Sequence, residues 1–252
     1  MNVIETRKLT KEFKGHTAVK NLDLEVQVGE IYGFLGPDGA GKTTTIRMLT
    51  GILPPSSGEA SVVGHDIRTD PDRVRSAIGL LPESTGYYGW MTPTEYLEFF
   101  ADLYGMRRAD SRSRVNSLLA WVGLAERTSS PIATFSRGMR ARLGIARALL
   151  HRPRIVFLDE PTLGLDPLGQ RDILELIRYV NRDEGATIFL SSHALDQVGQ
   201  LCTRVGILNE GCLVAQGSAS DLSRRLALSP VLRLTVADAV RAQQVAVKLG
   251  LK

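Results

Sequence analysis

"GPDGAGKT", Gly36 to Thr43, is a short glycine-rich run that ends in Lys-Thr, and its reading decides the fold. Gly36, Gly41, Lys42 and Thr43 fall on the pattern G-x-x-x-x-G-K-[ST], a loop whose backbone N–H groups wrap phosphates. Glycine is needed there because the chain must turn tightly and approach the anion closely. Lys42 is expected to reach the outer phosphate oxygens, and Thr43 to offer its hydroxyl to Mg²⁺. The helix that follows adds the positive end of its dipole. The whole stretch Gly36, Pro37, Asp38, Gly39, Ala40, Gly41, Lys42, Thr43 and Thr44 is therefore expected at the phosphates. Asp38 is out of place in such a loop. A carboxylate about 8 Å from a phosphate costs roughly 2 kcal/mol at an effective dielectric near 20, before Lys42 and Mg²⁺ offset it.

The flanks of the loop agree with this reading. Asn21 to Leu35, "NLDLEVQVGEIYGFL", alternates and then runs apolar, which predicts two strands joined at Gly29, the second one buried. Thr43 to Leu53 carries Ile46, Leu49 and Leu53 at helical spacing and stops at Pro54-Pro55. Further buried strands are expected at Arg154 to Leu158 and Ala186 to Ser191, each near a candidate helix. Strands alternating with helices predict an α/β fold with a mainly parallel central sheet. Between Pro82 and Leu150 the strand signal disappears, and Thr94 to Tyr104, Ser113 to Val122 and Arg137 to Leu150 read as three helices. That stretch, about 84–150, is a helical subdomain inserted into the core. "RVGILN" and "CLVAQG" around Glu210-Gly211 return to short strands. The tail from about 229 to 252 begins like one more strand and helix and ends without a partner strand, as a truncated appendage would.

With 252 residues, 43% of them hydrophobic, the chain can bury a sizeable core. The net charge of +4 is spread along it, so no basic block marks a nucleic-acid arm and no nucleic acid is expected as partner. Cys202 and Cys212 form no metal-binding or disulfide pattern. No apolar run reaches the roughly 20 residues needed to span a bilayer, so any membrane role requires a separate partner.

A second constellation lies in "RIVFLDEPTLGLDP", Arg154 to Pro167. An acidic residue at the end of a buried strand suits Asp159 to hold Mg²⁺ through water, and Glu160 next to it to orient and deprotonate an attacking water. Taken with "FSRGMRARLGIARALL" and "GPDGAGKTTTIRMLTGILPPSSGEASVVG", this stretch resembles the nucleotide-binding subunits of ABC transporters, in particular those serving ABC-2-type exporters. The resemblance covers about 3–222, which reads as one nucleotide-binding domain.

The resemblance implies an ATPase with a P-loop NTPase fold, N-terminal antiparallel strands and ATP and Mg²⁺ as ligands. It implies that Phe13 stacks on the adenine, that Glu83 stands where a glutamine usually senses the metal, and that Ser136 and Gly138 belong to the signature motif. Thr43, Glu83 and Asp159 are then the metal residues. Glu160, His193 and Lys42 are the catalytic ones, with His193 touching the γ-phosphate and holding Glu160. His16, His65 and His151 are left as surface or packing residues. Arg137, Met139 and Leu163 depart from the usual pattern; Met139, Leu143, Ala146 and Leu150 are assigned to the buried stripe of their helix. Two nucleotide-binding domains, in a homodimer or a heterodimer, are expected to close head to tail over ATP on the cytoplasmic face of a membrane, beside an ABC-2-type permease. Tyr87 to Met91 would dock that permease, while Phe99 and Phe100 belong to the subdomain core. Asp38 is expected to meet Arg137 of the other copy. The alternative is a soluble ATPase of the same kind acting on nucleic acid or ribosomes.

Overall fold

The computed structural model of the chain describes residues 1–194, 201–218 and 221–222. The chain divides into a unit Met1–Ala219 and a second, Ser220–Lys252, of which only Asp221 and Leu222 are described. The strand and helix expected within 229–252 lie outside the described residues.

The first unit carries two sheets. β1 (Asn2–Phe13), β2 (His16–Gln27), β4 (Ser57–Val62) and β5 (His65–Asp66) form an antiparallel sheet in the order β2-β1-β4-β5. β3 (Ile31–Leu35), β6 (Ile78–Leu81), β7 (Ile155–Asp159), β8 (Thr187–Ser192), β9 (Arg204–Asn209) and β10 (Cys212–Gly217) form the other, in the order β10-β9-β3-β8-β7-β6. Its strands are parallel except for the antiparallel β9–β10 hairpin. The two strands expected to join at Gly29 do so, but they enter different sheets. Along most of its length β2 alternates buried and exposed residues, the pattern of a sheet with one wet face, whereas every residue of β3, β7 and β8 is buried, as in a sheet covered on both faces. Phe34, Phe157 and Tyr32 each pack a ring against Phe189 between these strands.

Helix α1 (Lys42–Leu49) follows the glycine loop and ends four residues before the expected Leu53. The cause is Gly51, whose φ of 68° takes the chain out of the helix before the prolines are reached. After α2 (Pro71–Ala77), the inserted segment holds α3 (Pro93–Leu103), α4 (Arg108–Trp121) and α5 (Arg137–Leu149), with no described strand between Pro82 and Leu150. α3 starts at a capping box: Thr92 Oγ1 accepts from Glu95 N, and the Glu95 carboxylate accepts from Thr92 N, which holds its pKa below the usual value. α4 begins five residues before the expected Ser113. Its Arg114 is buried because it forks onto both carboxylate oxygens of Glu184 and donates to Leu149 O at 2.9 Å.

Two assignments to the core change. Tyr96, not Phe99, is the fully buried ring of α3; Phe99 is 37% exposed and Phe100 half-buried. In α5, Leu143, Ala146 and Leu150 are buried as expected, but Met139 is only half-buried, because it lies in the first turn at the surface end of the helix.

Candidate functional site

Three neighbouring strands aim their C-terminal ends at one place, where ligands collect in sheets of this kind. β3 leads into Gly36, β8 into His193 and β7 into Glu160, with β8 lying between the other two. Gly36 N donates to Ser192 O at 3.2 Å and so ties the loop to β8. The spacing of the glycines has a steric cause. A Cβ on Gly36 would stand 2.2 Å from Leu208 O, and one on Gly41, whose φ is 106°, would stand 2.3 Å from Ala18 O. The amides of Lys42, Thr43 and Thr44 then open α1, in the first turn whose N–H groups a helix leaves without acceptors of its own.

Lys42 is buried at this floor. Its Nζ donates to Gly36 O at 2.8 Å and to Pro37 O at 3.1 Å, and lies 3.3 Å from Glu160 Oε1. The other oxygen, Glu160 Oε2, is 3.0 Å from His193 Nδ1. The Glu160 side chain is 8% exposed, against 48% for His193. Glu160 also has a φ of 49°, unusual for a side chain with a Cβ. Ser191 holds it there: its Oγ accepts from Glu160 N at 2.9 Å and donates to Asp159 Oδ1 at 2.6 Å. One hydroxyl thereby orients both acids of β7.

A cleft of about 500 Å³ opens over this floor, lined by Phe13 and the loop from Asp38 to Thr44 together with Glu83, Glu160 and His193. Most of the residues expected at a nucleotide are thus brought together, Phe13 among them. Ser136 and Gly138 are not among them. They stand in a separate cavity with Arg137 and Asp166, where Ser136 caps α5 by accepting from Met139 N. Asp159, 3% exposed, lines a cavity of about 370 Å³ with Glu83, Arg137 and Tyr87. Burial pushes the Tyr87 phenol up to about 12, and its hydroxyl donates to Arg140 O at 2.7 Å.

Asp38 is exposed and lines the same cleft as Glu160 and His193. One carboxylate oxygen of Asp38, one of Glu160 and a ring nitrogen of His193 all lie within 4.8 Å of one another.

Two residues of the site escaped the sequence reading. Ser191 bears no motif; what places it is the β7–β8 register, which pairs Asp159 with Ser191. His16, expected at the surface, is exposed but lines the cleft beside Phe13, its partner across a tight hairpin. The signal was Lys14-Gly15, a two-residue turn that sets the rings on one face. His151 is a packing residue: it stacks on Tyr104 at 4.0 Å, and its Nε2 is 2.9 Å from Ile78 O.

Comparison with known proteins agrees with this geometry. Residues 19–163 match the family described as "ABC transporter". The linearmycin resistance ATP-binding protein of Bacillus subtilis is 36% identical over 98% of this chain and 79% of its own length. The daunorubicin/doxorubicin resistance ATP-binding protein of Streptomyces peucetius is 40% identical over 94% of this chain and 71% of its own. Among solved structures, an ATP-binding subunit of an ABC transporter superposes with a TM-score of 0.80 at 30% identity, over 98% of this chain and 99% of its own. The dimeric structure of an ATP-binding cassette in a post-hydrolysis state shares the fold, with a TM-score of 0.77 at 24% identity over 86% of this chain and 98% of its own. A cleft with Lys42 at its floor and Glu160 above it, on a chain with these relatives, has one reading: the chain belongs to the ABC transporter family, as one of its ATP-binding and ATP-hydrolysing subunits.

Proposed function

We propose that this subunit hydrolyses ATP with Glu160 as general base and drives export through a separate ABC-2-type permease. The observation that supports the chemistry is Glu160 itself, gripped at one oxygen by Lys42 and at the other by His193. Phe13 stacks on the adenine, and the loop from Gly36 to Thr44 takes the phosphates. Lys42 must leave Glu160 to reach the γ-phosphate. That frees Glu160 Oε1 to accept a proton from water while His193 keeps the carboxylate aimed. Thr43, Glu83 and Asp159 supply only oxygen donors, the chemistry Mg²⁺ prefers, and they would hold it. When bound it neutralises charge on the phosphates.

Two copies close over ATP, each lending Ser136 and Gly138 to the other's cleft. Their position outside the cleft of their own chain supports this division. ATP does work by binding the closed form better than the open one. Export is favoured by the drug-resistance and bacitracin transport names of the relatives, which also weigh against the nucleic-acid alternative. No helix among the described residues is long and apolar enough to cross a membrane. The relatives are named as ATP-binding proteins, which supports a permease on a separate chain with this subunit at its cytoplasmic face.

Within the expected Tyr87–Met91 docking run the residues face different ways. Tyr87 turns inward, whereas Tyr88 (45% exposed) and Trp90 (74%) join Phe99, which meets Tyr88 edge-on, in an aromatic patch suited to an apolar helix of the permease. The test of the chemistry is Glu160→Gln. It should keep ATP affinity and lower turnover by at least about a hundredfold. Turnover within threefold of wild type would remove Glu160 from the reaction.

A further inference from the structure

Among the described residues, two opposite charges near the cleft lack charged partners. Asp38 is exposed, and no described side chain bonds or pairs with its carboxylate. Of the two groups within 4.8 Å of it, Glu160 repels it and His193 is already bonded to Glu160. The cation of the cleft, Lys42, is already shared between Gly36 O, Pro37 O and Glu160. Arg137 has the converse problem. It is exposed at the first position of α5, where the positive end of the helix disfavours a cation, and its one side-chain bond is a long one, 3.4 Å from Nη1 to Gly164 O.

The two charges share a continuous surface. The cleft that contains Asp38 and the cavity that contains Arg137 have Glu83, Glu160 and Leu163 in common. Leu163 is 50% exposed there, and Leu168, beside Arg137, is 68% exposed. An open face with exposed leucines and, among the described residues, unpaired charges of both signs, Asp38 and Glu83 against Arg137, is suited to a copy of itself. In a two-fold dimer every contact occurs twice with the roles exchanged, so one face can satisfy both charges.

We propose that Asp38 of one copy receives Arg137 of the second copy, twice per dimer, and that the second copy thereby completes the charge balance of the nucleotide cleft. The pair rests on the dimeric ATPase read above. It explains how a carboxylate is tolerated in a phosphate loop: the guanidinium arrives with the partner, so Asp38 opposes ATP in the open monomer and gains a counter-ion in the closed dimer. Arginine suits this role because its planar fork meets a carboxylate through two parallel hydrogen bonds.

Dimerisation with Mg²⁺ and the non-hydrolysable analogue AMP-PNP, followed by sedimentation, tests the pair. Asp38→Arg and Arg137→Asp should each weaken the dimer about tenfold or more, and the double exchange should return it to within about threefold of wild type. Each variant is first shown to bind nucleotide as a monomer, which establishes its folding. The milder Asp38→Asn and Arg137→Gln should give the same non-additivity at smaller amplitude. A wild-type dimer whose variants add strictly overturns the pair and leaves the dimer reading intact. A wild-type chain that binds the analogue and stays monomeric overturns the dimer reading, and the pair with it.

Discussion

The floor of the nucleotide cleft and the start of α5 are both phosphate-facing machinery in the proposed mechanism, yet they are built in opposite ways. Lys42, Asp159 and Ser191 are all less than a tenth exposed, the first opening α1 and the other two at the ends of strands buried on both faces, and nearly every polar atom is engaged. Ser136 and Arg137 are exposed, held by one capping bond at 3.2 Å and one long contact to Gly164 O. The first region is complete within one chain. The second has donors and charge to spare, as a surface does that waits for another copy.

Paired substitutions can break that contrast. Lys42→Ala removes the buried ammonium and should weaken ATP binding by more than about a hundredfold, since hydrogen bonds to charged groups are among the strong ones. Ser136→Ala should leave monomer affinity within about twofold and cut turnover at least about tenfold. It should also cost about 1 kcal/mol of stability for the lost helix cap. Calorimetric ATP titration beside steady-state turnover separates the two effects. Equal losses of monomer affinity in both variants would mean that α5 belongs to the cleft of its own chain.

The same contrast decides what could be read from the sequence. The loop was legible because eight consecutive residues fix it, and each constraint is local: the room denied at Gly36 and Gly41, and the helix that follows. β7 and β8 were legible because strands buried on both faces are continuous apolar runs. Ser191 was not, since its role depends on which residue of β7 lies opposite it. Nor was the exposure of Phe99: in "EYLEFF" a small change of helical phase exchanges the buried ring, and packing against α5 settles it on Tyr96. Arg114 hid the true start of α4, because an arginine-rich turn reads as solvated until Glu184, 70 residues away, folds onto it. β1 and β4 make the N-terminal antiparallel sheet expected from the resemblance. Their polar residues, in "NVIETRKLTKEF" and "SGEASV", obscured the strands themselves.

A smaller effect sharpens the description of the cleft's outer end. Phe13, 47% exposed, offers a ring face, and His16 lies opposite it in the hairpin. Base stacking is worth about 1–3 kcal/mol, so Phe13→Ala should raise the KM for ATP roughly tenfold while kcat stays within about twofold. His16→Ala should raise KM less, about threefold, by removing a polar edge beside the base. A fall in kcat with KM unchanged would place either residue in the chemistry instead of in binding.

The smallest expected effect lies away from the cleft, where helical subdomain and core meet at His151. Burial lowers its pKa, against the backbone contact to Ile78 O, which acts to raise it. Nε2 donates to that carbonyl, and among the described residues the buried Nδ1 has no partner, so a second proton would meet no acceptor there. The folded state therefore takes up the proton less readily than the unfolded chain. This contribution to stability is full above the unfolded value near 6.5 and is lost as pH falls through the lower folded value. Urea midpoints should drop as the buffer moves from pH 7.5 to 5. His151→Phe keeps a ring against Tyr104 but abandons the carbonyl, so it should be less stable at pH 7.5 and lose part of the slope below it. An unchanged slope in that variant would assign the acid sensitivity to other groups, and would leave His151 as a stacking residue alone.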